Sequence, residues 1–224
     1  MNAFVVAIDG PSGSGKSSVS KALAQRLDWQ LLDTGSVYRA LTWYALQEGV
    51  DLDDADAVIA AVPGFLNVWT LSLTPGERWV RVAETDVTER IRETAISEVV
   101  SKVAGIQSVR DAVNTRFREI LAESPAEGII AEGRDITTVV APDAPVRILL
   151  TADEAVRIAR RQAEKTGEDA KSVAATVSER DKRDSRVTNF TAAAEGVAVI
   201  DSTDLGLEAT IQAALDLITS RSAQ

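Results

Sequence analysis

The chain has 224 residues, of which 45% are hydrophobic and 26% are charged, and 34 acidic against 24 basic residues give a net charge of -10. This composition excludes disordered, collagen-like and fibrous proteins, and the negative charge argues against a protein that holds duplex nucleic acid over a large surface. The chain contains no cysteine and no histidine, which excludes disulfides, the usual zinc ligands and the usual general base.

The first ten residues carry no basic leader, and nowhere does an uncharged apolar stretch reach about 18 residues. We therefore expect a cytoplasmic protein without a signal peptide or a membrane span. The length predicts one core domain with a modest insertion.

Short apolar runs alternate with patterns of helical spacing along most of the chain. Phe4 to Ile8 is such a run and closes at Asp9-Gly10-Pro11, after which Val19, Leu23 and Leu27 recur at helical spacing. Further strands are predicted at 31–32, 128–131, 146–150 and 197–200, and further helices from about 153 and 205. This alternation predicts an α/β fold, in which helices cover a parallel sheet.

The stretch from about residue 63 to residue 87 interrupts this alternation. Asn67 to Ser72 and Trp79 to Val82 are predicted as short strands, joined by a turn at Thr74-Pro75-Gly76. We interpret the stretch as a small antiparallel insertion, and the apolar helical pattern from Ile106 to Leu121 returns the chain to the core.

A phosphate-binding loop is predicted between the first strand and the first helix. Its residues fit the pattern G-x-x-x-x-G-K-[ST] and are Gly10, Pro11, Ser12, Gly13, Ser14, Gly15, Lys16 and Ser17. The glycines let backbone N–H groups surround polyphosphate oxygens, the helix N-terminus adds positive charge, Lys16 reaches the outer phosphates, and Ser17 can ligate Mg²⁺.

The loop alone does not identify a reaction. None of the six lysines lies in the Asn/Thr-Lys-x-Asp element of guanine-specific GTPases, which argues against that class. Arginines occur in groups, and phosphoryl transfer explains them because its transition state requires cationic clamping and no histidine base. Arg157 and Arg161 therefore belong either to a closing cationic lid or to a solvated helix face with acidic partners.

Two acidic residues end predicted strands, and the strand that ends at Glu132 is predicted to lie beside the loop strand. Glu132 is predicted to hold Mg²⁺ through water, together with Ser17. Asp33 either orients the acceptor end of the site or the Mg²⁺ waters, or it is an ordinary turn aspartate.

Several motifs together resemble bacterial cytidylate kinase, in order and nearly from end to end. They are Gly-Pro-Ser-Gly-Ser-Gly-Lys-Ser-Ser at 10–18, Leu-Leu-Asp-Thr-Gly-Ser-Val-Tyr-Arg at 31–39, Val-Ser-Lys-Val-Ala at 100–104, Val-Arg at 109–110, Gly-Arg-Asp-Ile-Thr-Thr-Val-Val at 133–140 and Arg-Asp-Lys-Arg-Asp-Ser at 180–185. Spaced motifs of this length are far more specific than the loop pattern alone.

The resemblance implies Mg²⁺- and ATP-dependent phosphorylation of CMP or dCMP on a P-loop fold with a five-stranded parallel sheet. It also implies a core at 1–62 and 105–224 with a helical lid at about 153–187, and a nucleotide-binding insertion at 63–104. We expect a monomer that binds ATP and CMP or dCMP and binds neither nucleic acid nor membrane.

The resemblance also assigns roles to individual residues. Ser18 joins the ATP-binding loop, and catalysis is expected from Lys16, Arg157, Arg161 and Asp33. Family positions that hold the acceptor nucleotide fall on Thr34, Arg39, Ser101, Arg110, Arg134, Asp135, Arg180 and Asp184.

The chemistry of cytosine fits two of these residues. Cytosine offers an amino donor at position 4 and acceptors at N3 and O2, so a carboxylate such as Asp135 beside a guanidinium such as Arg110 matches it. Uracil would reverse two of those contacts.

One motif departs from the family pattern. The family commonly shows Arg-Asp-x-x-Asp-Ser-x-Arg, but here Val187 stands at the eighth position and the arginine, Arg186, comes one residue earlier. On a helix, Arg180, Asp184 and position 187 share a face from which Arg186 points away, so we expect Arg186 to contribute less than Arg180.

Two other functions remain open from the residues alone. One is a different small-molecule P-loop kinase, such as a uridylate-preferring or shikimate-type enzyme. The other is a nucleotide-sensing protein that binds ATP and CMP without turnover.

Overall fold

The computed structural model describes residues 3–164, 181–182, 188, 190 and 192–222. Its strands are β1 Phe4–Asp9, β2 Gln30–Asp33, β3 Trp69–Leu71, β4 Val80–Val82, β5 Thr85–Asp86, β6 Gly128–Gly133, β7 Val146–Thr151 and β8 Ala198–Asp201. Its helices are α1 Lys16–Leu27, α2 Thr34–Gln47, α3 Ala55–Val68, α4 Thr94–Ala104, α5 Gln107–Glu123, α6 Glu154–Glu164 and α7 Leu207–Ser222. A 3₁₀ turn at Arg90–Arg92 and a π-helical turn at Ile136–Val140 complete these elements.

The main sheet contains five parallel strands in the order β2-β6-β1-β7-β8. The predicted parallel sheet and its helical cover are therefore confirmed. The sheet has helices on both faces, which is why β1 and β6 are apolar along most of their length.

Alternate residues of β1 face two separate hydrophobic cores. Val6 and Ile8 pack on one face of the sheet, in a core that includes Leu23 of α1 and Ile211 of α7. Ala7 points to the opposite face, into the core that holds Phe117 of α5. This alternation follows from the two-residue period of a strand, and it fixes β1 in the middle of the fold.

A second, antiparallel sheet in the order β3-β4-β5 confirms the small antiparallel element predicted for the interrupted stretch. The turn predicted at Thr74-Pro75-Gly76 is present, and the Glu77 N–H donates to the Thr74 carbonyl at 2.9 Å. The division of the chain at residues 62 and 105 stays a prediction; α3 spans the first of these boundaries, and α4 ends at the second.

The strand predicted from Asn67 to Ser72 is wrong at its first two residues, which end α3. The cause is the helical repeat of Val58, Val62 and Phe65, which are all buried and carry the helix past Pro63. The strand begins at Trp69, whose ring stacks on Phe65 with centroids 5.7 Å apart. Tertiary packing therefore overrides the local β-branched and aromatic pattern.

Among the described residues, no helix is both long enough and apolar enough to cross a bilayer.

A buried carboxylate fixes the backbone after β6. Asp9, at the end of β1, accepts hydrogen bonds from the Ile136 N–H at 2.9 Å, the Thr137 N–H at 2.8 Å and the Thr137 hydroxyl at 2.6 Å. Burial raises the pKa of Asp9, and these donors oppose that shift. The π-helical turn is thereby held against the end of β1, which fixes the position of Asp135 immediately before it.

We predict that Thr137→Val lowers the free energy of unfolding by about 1–3 kcal/mol, because the buried Asp9 carboxylate loses its shortest hydrogen bond. The measurement is urea denaturation of both proteins. Thr138→Val, at the exposed neighbouring position, is the matched control and should change little. Equal effects of the two substitutions would contradict this role of Thr137.

Candidate active site

The phosphate-binding loop connects the end of β1 to the start of α1, as the pattern predicted. Gly13 and Gly15 have φ angles of 76° and 88°, which favour glycine. A Cβ atom on Gly13 would also lie 2.5 Å from the carbonyl oxygen of Arg157. Glycine is therefore required at position 13 for two reasons, backbone conformation and the close approach of α6.

Lys16 and Ser17 begin α1 at the mouth of this loop. The Lys16 ammonium donates to the Pro11 carbonyl at 3.4 Å, which bends its side chain over the loop. The Ser17 hydroxyl donates to Glu132 Oε2 at 2.9 Å. The register of β1 with β6 pairs Ile8 with Glu132, so this contact follows from the sheet.

Glu132 is a buried carboxylate, and its Oε1 atom has no hydrogen-bond partner among the described residues. Burial and, to a smaller extent, the negative charge of Asp33 raise the pKa of Glu132 to about 7. Lys16 and the Ser17 hydroxyl act in the opposite direction. An acceptor of this kind, beside the Ser17 hydroxyl, fits a site for a hard divalent cation.

Asp33 lies on the strand next to Glu132 and is held by two different elements. Its Oδ1 atom accepts from the Ser36 N–H at 3.1 Å and caps α2, and its Oδ2 atom pairs with Arg78 at 2.9 Å. Asp33 is thus a helix-capping residue, and it also lines a central cavity that the phosphate-binding loop borders. The two interpretations left open by the sequence are compatible.

Three of the predicted acceptor-binding residues line this cavity from the side of α2 and α4. The Thr34 hydroxyl donates to the Glu132 carbonyl at 2.7 Å. Arg39 donates to the Ile91 carbonyl at 3.1 Å and to the Ser97 hydroxyl at 2.7 Å, and burial lowers its pKa. Ser101 lies on α4.

Arg110 and Asp135 form a buried ion pair at 2.5 Å, and their side chains are 6% and 8% exposed. Arg110 also donates to the Ala104 carbonyl at 3.0 Å and lies over the ring of Tyr38 at 5.5 Å. The Tyr38 hydroxyl in turn donates to Asn114 at 3.3 Å. The structure therefore brings Arg110 and Asp135 together, and the Ala104 carbonyl and the Tyr38 ring hold the guanidinium in place.

Within the described part of the chain, two further predicted cations, Arg157 and Arg134, contact backbone carbonyls of the loop. Arg157 donates to the Ser12 carbonyl at 3.0 Å and pairs with Asp181. Arg134 donates to the Gly10 carbonyl, lies 3.7 Å from Asp181 and stacks over Phe190 at 4.6 Å. Arg161 lines the central cavity.

One cavity of about 470 Å³ joins most of these groups, but Arg157, which was predicted to be catalytic, does not line it. Its lining includes Lys16, Ser17 and Glu132 near the loop and Arg110 with Asp135 at a second position. Thr34, Arg39, Ser101, Arg134 and Arg161 line it as well. Arg180 and Asp184, which the resemblance also assigned to the acceptor nucleotide, lie outside the described residues, as does Arg186.

Sequence reasoning missed three acidic or basic groups of the site. Asp9 has a detectable signal, because a carboxylate ends a buried strand directly before the loop. Asp181 lies within the motif at 180–185, which could have drawn attention to it, whereas Arg78 has no local signal because it meets Asp33 across a long stretch of chain. Asp181 also accepts from the Ser12 N–H at 3.1 Å, so a carboxylate contacts the loop where a phosphate oxygen is expected.

The sheet order, the loop and the acid on the adjacent strand define a P-loop protein with the parallel α/β fold of the small kinases. The cytidylate kinase family model matches residues 6–220. A cytidylate kinase of Cutibacterium acnes is 47% identical over 219 residues, which are 96% of this chain and 96% of the relative. One from Rhodococcus jostii is 42% identical over 223 residues, 97% of this chain and 96% of the relative.

The chain belongs to the cytidylate kinase family. The crystal structure of a Thermus thermophilus protein, which is 17% identical, superposes with a TM-score of 0.52 over 98% of each chain and supports the fold alone.

The raised pKa of Glu132 generates a prediction about stability. In the unfolded chain this carboxyl ionises near its ordinary pKa of 4.5, whereas in the folded protein it ionises near 7. Between these values the folded state binds the proton more tightly, so its stability relative to the unfolded chain falls as the pH rises. Well above pH 7 the buried charge costs the folded protein on the order of 3 kcal/mol.

We predict that Glu132→Gln raises the melting temperature of the metal- and nucleotide-free protein more at pH 8 than at pH 5, because glutamine carries no charge at either pH. The measurement is thermal unfolding in a chelator at both values. Glu127→Gln, at an exposed residue just before β6, is the control and should show no such difference. A pH-independent effect of Glu132→Gln would contradict the assigned titration.

Proposed function

We propose that the protein transfers the γ-phosphoryl group of ATP to CMP or dCMP and releases ADP with CDP or dCDP. The observation that carries this proposal is the single cavity that the phosphate-binding loop and the buried Arg110–Asp135 pair both line. Membership in the cytidylate kinase family supports the choice of acceptor. Cytoplasmic localisation and a monomeric state stay predictions from the sequence.

The donor end of the proposed site is the loop. Its backbone N–H groups and the N-terminus of α1 are suited to the phosphates of ATP, and Lys16 supplies a mobile positive charge beside them. Charge grows on the transferred group and on the leaving oxygen during the reaction, and Lys16 stabilises it.

Mg²⁺ with ATP is part of the proposal, and the residues present fit this ion. Ser17 and Glu132 would hold it, because the Ser17 hydroxyl contacts one oxygen of a buried carboxylate whose other oxygen has no hydrogen-bond partner in the described part of the chain. When bound, the ion supplies positive charge to the phosphates.

The acceptor end combines cations with a base-reading pair. Arg39 and Arg134 are proposed to bind the phosphate of the monophosphate, and Arg161 faces the same cavity. Thr34 and Ser101 line it with hydroxyl groups. Asp135 is proposed to accept from the cytosine amino group while Arg110 donates to the ring acceptors, which requires their present ion pair to open partly toward the base.

The experiment is a steady-state panel in which ATP and Mg²⁺ are offered with CMP, dCMP, UMP, AMP or shikimate. We expect kcat/KM to be highest for CMP and dCMP. Highest turnover of UMP or shikimate would identify another small-molecule kinase. Binding of ATP and CMP without ADP formation would identify a nucleotide-sensing protein.

We predict that Lys16→Ala lowers kcat by on the order of a thousandfold while the melting temperature stays unchanged, because Lys16 stabilises transition-state charge and packs in no core. Lys21→Ala, five residues further along α1 and outside the cavity, is the matched control. A Lys16→Ala variant that keeps a tenth of wild-type kcat would contradict the role of the loop.

We predict that Asp135→Asn lowers kcat/KM for CMP, with a loss of about 2–4 kcal/mol of transition-state stabilisation. The preference for CMP over UMP should also fall, because the new amide can donate to the uracil carbonyl. Kinetics on both nucleotides provide the measurement. Asp143→Asn, at an exposed position, is the control. An unchanged ratio of CMP to UMP would show that Asp135 does not read the base.

A further inference from the structure

Arg78 reaches the active site from outside the parallel core. It lies in the segment between β3 and β4 of the antiparallel sheet, and its guanidinium pairs with Asp33 Oδ2 at 2.9 Å, at the end of β2. Arg78 and Asp33 both line the central cavity with Lys16 and Glu132. Their side chains are 32% and 25% exposed, so water only partly screens the pair.

A second contact fixes the same segment to the same strand. β2 is an edge strand of the main sheet, and its Leu31 N–H donates to the Leu73 carbonyl at 2.8 Å. The segment is also closed on itself, because the Ser72 N–H donates to the Trp79 carbonyl at 3.0 Å. These backbone hydrogen bonds place Arg78 near the end of β2 independently of its side chain.

Asp33 connects Arg78 to the other residues of the site. Its other oxygen caps α2, the helix that carries Thr34 and Arg39. Its register partner on β6 is Glu132. The Arg78 cation neutralises Asp33 where an unpaired carboxylate would repel both Glu132 and the phosphates of the substrates.

We propose that Arg78 is a positioning residue for phosphoryl transfer: by pairing with Asp33, it docks the antiparallel sheet on the core and holds Asp33, the start of α2 and Glu132 in the arrangement that catalysis requires. The inference rests on the proposed function for its substrate. The pairing of Arg78 with Asp33 and the hydrogen bond between Leu31 and Leu73 do not depend on which acceptor is phosphorylated.

The first test is a kinetic double-mutant cycle with Arg78→Met, Asp33→Asn and the double variant, assayed with ATP and CMP. Arg78→Met keeps the length and apolar stem of the side chain and removes its charge. We expect each single substitution to lower kcat about tenfold or more, with KM for ATP nearly unchanged, because neither residue belongs to the phosphate-binding loop.

The double variant should be about as impaired as the worse single variant, since both substitutions break one interaction. Arg78→Lys should recover part of the lost kcat, because it restores the charge without the planar guanidinium. Arg81→Met is the control; it lies on exposed β4 surface against Trp79 and should leave kcat unchanged. Losses that multiply in the double variant, or wild-type kcat in Arg78→Met, would overturn the proposal.

The second test separates this proposal from the proposed function. Hydrogen exchange of the Leu31 amide reports the contact between β2 and the segment that carries Arg78. We expect Arg78→Met to accelerate this exchange about tenfold while the urea midpoint of global unfolding is unchanged. If wild type fails to phosphorylate CMP, the proposed function fails, and the kinetic cycle is run on the acceptor that the panel identifies. Unchanged Leu31 exchange in Arg78→Met would overturn the docking role.

Discussion

Parallel strands end at the same edge of a sheet, and the pairing of β1 with β6 therefore places the phosphate-binding loop beside Glu132. The pairing of β6 with β2 adds Asp33 to that edge. These three strand ends supply the loop and both carboxylates, and the backbone after β6 carries Arg134 and Asp135 into the same cavity. The site is thus a consequence of sheet order, and side chains on the helices complete it.

Placing carboxylates together at a partly buried edge has an electrostatic cost that the surrounding cations offset. Asp33 is paired with Arg78, Asp135 with Arg110, and Asp181 with Arg157 and Arg134. Among the described residues, the Glu132 carboxylate has only the Ser17 hydroxyl as a direct donor. Burial accordingly raises the pKa of Glu132 to about 7. A buried carboxylate with one oxygen left without a hydrogen-bond donor is an expected place for a cation to bind.

The parts of this fold that have a local pattern could be predicted from the sequence. The apolar run of β1, the loop at residues 10–17 and the strand that ends at Glu132 were predicted because each signal lies within a few neighbouring residues. The strand at Asn67 was wrong because the buried repeat of Val58, Val62 and Phe65 extends α3. The pairs Arg78–Asp33 and Thr137–Asp9 join distant segments, and no short pattern announces such contacts. The roles of Lys16, Ser17 and Glu132 followed from the loop pattern and the strand ends, whereas the roles of the acceptor-binding residues came from the family motifs.

The central position of β1 also affects how the protein folds. β1 is made first, yet its two neighbours in the sheet are β6 and β7, and Asp9 finds its hydrogen-bond donors 127 residues further along the chain. During synthesis this apolar strand has no sheet partner until more than half of the polypeptide has emerged. Contacts of such sequence separation slow folding because the loop must close before they form. This strongly apolar strand therefore waits longest for its partners, and during that time it is exposed to misassembly.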